Sequence, residues 1–124
     1  MKDTLAPGVS LTKTVTTTPA MAPPHLGPGG AVLSTPAMIG LMEGASLEAV
    51  KPHLDESEQT VGTMVHIWHR AAVKIGEPVQ VSAKLIERDR RKLLFEVKVS
   101  AGDKTVGDGT HERFVIDLNK FGKS

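Results

Sequence analysis

The chain has 124 residues, with 15 Lys and Arg against 14 Asp and Glu, a net charge of +1 and no cysteine. That length suits one domain over residues 1–124 with a core that needs no covalent staples. The charge balance excludes the basic field of a dedicated nucleic-acid binder, and the missing thiols exclude disulfides, zinc ribbons, iron–sulfur clusters and cysteine nucleophiles. No apolar run approaches the roughly 18 residues of a membrane span. The start, Met1-Lys2-Asp3-Thr4, lacks the apolar stretch of a signal peptide, so a cytoplasmic protein is expected.

In chain order, Val9–Thr17 alternates apolar and polar residues and predicts a half-buried strand, with Lys13 interrupting its apolar side. Pro19–Gly30 is rich in proline and glycine and predicts an irregular structured loop of the kind that serves as a lid. Ser34-Thr35-Pro36 is a helix start, with Thr35 suited to the N-cap and Pro36 to the first helical position. The helix runs to Val50, before Pro52, and is about 22 Å long. It is apolar on nearly every side apart from Glu48, which predicts burial within a wrapping sheet. Four further strands follow: Thr60–His69, Val79–Glu87, Leu93–Ser100 after the polar turn Arg88–Lys92, and Lys104–Leu118, in which Gly107 and Gly109 mark a bulge or close approach. Short connections make these strands antiparallel neighbours. The pattern predicts an α+β hotdog fold: about five antiparallel strands wrapped around one long buried central helix.

Four positions could carry chemistry. Glu43 lies in the most apolar stretch of the helix, where an ionised carboxylate is costly unless paired; it is either functional or on a wet edge. His69 ends the second strand, where strict alternation puts it on one face with Val61, Thr63, Val65 and Ile67, opposite His66 and Trp68, so no His–His metal pair forms. Thr35 serves as a cap or as a hydroxyl beside a base. About 12 Å of helix axis separates it from Glu43, so the two meet only through an irregular first turn or across subunits. Gly62 interrupts a strand, either as a bulge or as a backbone amide near a developing oxyanion. The Arg88–Lys92 turn is a solvated hairpin tip or a contact for ligand phosphates.

Thr35-Pro36-Ala37-Met38-Ile39-Gly40-Leu41-Met42-Glu43, Gly62-Thr63, His69 and Gly107-Asp108-Gly109-Thr110-His111-Glu112-Arg113 resemble the fluoroacetyl-CoA thioesterase family of hotdog proteins, over about Gly8 to Phe121. The resemblance implies a catalytic triad at Thr35, Glu43 and His69, a carbonyl-binding amide at Gly62 and a site or coenzyme A contact at Arg113. It also implies a homodimer with the sites at the subunit interface. The reaction implied is hydrolysis of an acyl-CoA, with no metal and no cofactor other than the coenzyme A of the substrate. The family's lid bears a phenylalanine ahead of the helix, whereas Pro19–Leu33 holds no Phe, Tyr or Trp. The expectation is therefore a small acyl thioester rather than fluoroacetyl-CoA specifically. The alternatives are a non-catalytic acyl-CoA or small-ligand binder and a hotdog dehydratase or hydratase.

Overall fold

The alternating segments become strands, and each of the last four extends past or close to the limits that alternation marks. The computed structural model describes residues 1–122, with β1 (Ser10–Thr16), α1 (Thr35–Val50), β2 (Glu58–His69), β3 (Pro78–Asp89), β4 (Lys92–Ala101) and β5 (Lys104–Asp117). The strands form one antiparallel sheet in the order β1-β3-β4-β5-β2, which leaves β1 and β2 at the edges. Asp89 pairs with Lys92, so the basic turn narrows to Arg90 and Arg91, with Arg90 in the left-handed region at φ 56°.

Val79, Val81, Ala83 and Leu85 of β3 and Leu93, Phe95, Val97 and Val99 of β4 present one buried face to Met38, Met42, Ala45, Ala49 and Val50 of α1. The predicted flaw at Lys13 has a physical reason. Lys13 keeps its place on the inner face of β1 because its ammonium reaches Glu48 Oε2 of α1 at 2.5 Å.

The helix departs from the expected complete burial. It packs chiefly on β3 and β1, and its buried residues, Met38, Met42, Ala45, Ser46, Ala49 and Val50, lie along one side. Ile39, Leu41 and Leu47 are only half-buried. One copy of the sheet wraps one side of an all-apolar helix, so a seam between α1 and β2 stays open. Val65, on the inner face of β2, is 47% exposed there.

The loop before α1 contains three 3-10 turns, Pro19–Met21, Pro24–Leu26 and Pro28–Gly30, each headed by a proline. Backbone bonds from Ser34 to Met21, from Leu33 to Val73 and from Ile75 to Ala31 tie it down. Among the described residues, no helix is long and apolar enough to cross a membrane.

Candidate active site

At the head of α1 the cap is Ser34, not Thr35 as the sequence predicts: Ser34 Oγ accepts the Ala37 amide at 3.1 Å. Ser34 stands one residue further from Pro36, and proline is tolerated at the second helical position as at the first because neither needs an N–H donor. This shift releases the Thr35 hydroxyl, which lies 2.7 Å from His69 Nδ1. His69 is the last residue of β2 and pairs with Gly107. A Cβ at Gly107 would meet the Trp68 carbonyl at 2.8 Å and press on the Met38 sulfur, so only glycine lets β5 come this close. His69 Nε2 is buried and has no hydrogen-bond partner among the described residues.

Further along the seam, β2 bulges between Gly62 and Met64. The bulge corrects the predicted face assignment. Thr63 is the extra residue, Val61 pairs with the exposed Phe114 on the outer face, and Gly62 turns inward opposite Arg113. A Cβ on Gly62 would lie 3.0 Å from Glu43 Oε2, 3.2 Å from His111 Cε1 and 3.5 Å from Arg113 Nη1, so these groups share one small space. Glu43 is not sunk in the core. Its side chain is 42% exposed, and its Oε2 faces Arg113 Nη1 at 3.8 Å.

Arg113 is 5% exposed and fully engaged. Its Nε donates to Thr60 Oγ1 and its Nη2 to the Thr60 carbonyl, each at 2.8 Å. Its Nη1 lies 3.2 Å from His111 Nε2. A guanidinium can only donate, so Nε2 accepts; the proton sits on Nδ1, which donates to the Met64 carbonyl at 2.8 Å. Both ring nitrogens of His111 are thereby used, and the imidazole is neutral.

The structure thus brings Thr35 to His69, and Glu43 to Gly62 and Arg113, but no hydrogen bond joins the two groups within one chain. Thr35, Ile39 and Glu43 occupy successive turns of one helix stripe, with about 12 Å of axis between the ends. A shallow depression of about 340 Å³ at the Glu43 end is lined by Ile39, Glu43, Gly62, Thr63, Met64, Val65 and His111. Arg88 and Arg91 of the basic turn are drawn back to the fold, Arg88 donating to the Leu5 carbonyl at 2.7 Å and Arg91 lying 3.7 Å from Glu58. Among the described residues, no three His, Asp or Glu side chains converge as a metal site.

Sequence reasoning named Arg113 only through resemblance and passed over His111. The available signal was period two in β5: His111, Arg113 and Val115 share the inner face, where two polar side chains are out of place unless they bond each other.

Burial lowers the His111 pKa below the ordinary 6.5 and the Arg113 cation adds to it, while the Met64 bond and Glu43 oppose. Below pH 6.5 the unfolded chain takes up a proton that the folded chain resists. The unfolded state then binds more protons, so stability is full above that pH and is lost as the pH falls. The thermal midpoint of the wild type is expected to drop more steeply between about pH 7 and about pH 5 than that of His111→Gln. Parallel slopes would remove this imidazole from the pH response.

A long helix on a five-stranded antiparallel sheet, with a Thr–His pair and a carboxylate along the open seam, is the layout of a hotdog thioester hydrolase. The profile of the fluoroacetyl-CoA-specific thioesterase family, FlK, matches residues 14–119. The fluoroacetyl-CoA thioesterase of Streptantibioticus cattleyicolor is 36% identical over 128 residues, which cover 98% of this chain and 92% of that protein. A variant of FlK solved with fluoroacetate and CoA superposes with a TM-score of 0.85 at 34% identity, over 95% of this chain and 100% of the other. A thioesterase-superfamily protein of Thermus thermophilus gives 0.83 at 26% identity, over 92% of this chain and 85% of the other. The chain belongs to the fluoroacetyl-CoA-specific thioesterase family, and it is a thioester hydrolase.

Proposed function

We propose that the protein hydrolyses a small acyl-CoA to its carboxylate and free CoA at the α1–β2 seam, with Thr35, Glu43 and His69 as catalytic residues. The observation that carries this reading is the Thr35–His69 hydrogen bond, which orients the ring and leaves Nε2 buried and unpartnered, among the described residues, on the same seam as Glu43. With Nδ1–H donating to Thr35 Oγ1, Nε2 holds the lone pair that takes up a proton and returns it.

Two routes use these groups. In one, Glu43 attacks the carbonyl carbon, CoA thiolate leaves, and water opens the resulting anhydride. In the other, Glu43 takes a proton from water as the water oxygen attacks. In the first, the sulfur leaves as thiolate, and His69 Nε2 takes a proton from the water that opens the anhydride and passes it to that thiolate; in the second, the proton that Glu43 takes from water passes through His69 Nε2 to the departing sulfur. Gly62 and Arg113 bound the carbonyl end in both. One water is consumed, and carboxylate, thiol and one proton are released.

The gap between the two groups closes in a homodimer. β2 is an edge strand of 12 residues, and its Met64 and Val65 are 36% and 47% exposed. A long apolar edge of this kind is a template for another strand. Antiparallel pairing of two copies of β2 about His66, with Thr63 as the extra residue of the bulge, sets Gly62 of one protomer beside His69 of its partner on the inner face. Glu43 of one chain and the Thr35–His69 pair of the other then flank a single thioester. Val65→Lys is expected to give a monomer by sedimentation and to lose most turnover. A variant that stays dimeric, or a monomer with full activity, would rule this assembly out.

The segment ahead of the helix, Pro19–Leu33, carries no Phe, Tyr or Trp, which supports small acyl groups rather than one particular group. Thiol release measured across CoA esters of graded length and polarity tests the function. Turnover of short esters is the expected result. A binder would be stabilised by the esters and release no thiol, and a dehydratase or hydratase would alter the acyl group with the thioester intact.

A further inference from the structure

We infer that His111 is a positioning residue for the hydrolysis proposed above, on which this inference rests: it fixes the Arg113 guanidinium, which in turn steadies the Glu43 carboxylate beside Gly62. Arg113 is held on three sides. Thr60 accepts from Nε and Nη2, and these two bonds fix one edge of the planar guanidinium. The plane can still turn about that edge and carry Nη1, the nitrogen that faces Glu43, with it. Among the described residues, His111 Nε2 is the one hydrogen-bond partner that holds Nη1 against that turn.

The ring is itself locked. It is 1% exposed, its Nδ1–H is spent on the Met64 carbonyl, and that carbonyl belongs to the residue just past the β2 bulge. A single imidazole therefore links the bulge that presents Gly62 to the cation that faces Glu43. Its Cε1 also lies 3.2 Å from where a Gly62 Cβ would stand, so the ring floors the space under the carbonyl site. His111 touches neither water nor substrate in the proposed reaction. It acts through Arg113, with its proton held on Nδ1.

Two substitutions separate the two bonds. The shorter side-chain amide introduced by His111→Asn reaches the Nδ1 position, keeping the donor to Met64 while losing the acceptor for Arg113. His111→Gln extends to the Nε2 position and keeps that acceptor. Turnover of a short acyl-CoA is measured for both, in the wild-type and in the Glu43→Ala background. His111→Asn is expected to lower kcat by about 10- to 100-fold with KM nearly unchanged, as a small misplacement of a reacting group does. His111→Gln is expected to retain most of the rate. In the Glu43→Ala background, His111→Asn is expected to add no further loss, because the group it positions is gone.

A purely structural histidine gives a different pattern. The Asn and Gln variants then fall together, or Asn costs the same factor with and without Glu43, and either result overturns the inference. A wild type that turns over none of the thioesters removes the inference together with the function it serves, so that failure is distinguishable from a failure of positioning alone.

Discussion

Glu43→Ala is expected to lower kcat/KM for a short acyl-CoA by about 10²- to 10⁴-fold, the range a nucleophile or general base supplies. Among the described residues, Glu43 is the only carboxylate lining the depression beside Gly62, so no second acid stands ready to replace it. Its loss strips Arg113 of an ion pair at 3.8 Å, but the guanidinium keeps its bonds to Thr60 and His111. At this length, with the carboxylate 42% exposed and the buried guanidinium still bonded to Thr60 and His111, the pair contributes little to stability. The fold is therefore expected to survive with its thermal midpoint moved by a few degrees at most, and the activity loss cannot then be assigned to unfolding. Glu43→Gln, which keeps shape and removes charge, should be nearly as poor. Turnover within a small factor of wild type in either variant would end the case for this carboxylate.

His69→Ala carries the second large effect, a loss of about 10²- to 10⁴-fold in the same assay. The pairing with Thr35 at 2.7 Å commits one ring nitrogen and leaves the other for the reaction. Thr35→Val tests the partner. It removes the hydroxyl and keeps the branched shape, so the ring loses its orientation and the rate falls by a smaller factor. Because the two act as a unit, the double variant is expected to be little worse than His69→Ala alone. Losses that multiply would mean that Thr35 works independently of the ring, for instance on the acyl group.

Much of this layout can be read before any coordinates. Alternation of β-branched residues marks every strand of the sheet, and the Ser-Thr-Pro start and the apolar run mark the helix. What alternation misses are the places where one extra residue enters. Gly62 is recognisable as a bulge, yet counting by twos straight through it places Val61 and Thr63 on the inner face, and the bulge reverses this. The cap shows a similar near miss. Ser34 and Thr35 are chemically equivalent candidates, and the choice between them decides whether the Thr35 hydroxyl is spent on the backbone or available to His69. The Arg113–His111–Met64 chain escapes a strand-by-strand reading because its partners sit on β2 and β5, brought together by pairing across 47 to 53 positions of sequence.

The strap ahead of the helix has a thermodynamic consequence. Each of its three tight turns begins with a proline, at Pro19, Pro24 and Pro28. Those rings restrict the backbone while the chain is still denatured, so there is less disorder to surrender on folding. None of the residues in these turns is buried, so the strap has no core of its own to hold it. Its three turns are thereby ordered at a lower entropic cost than an exposed strap without proline would carry.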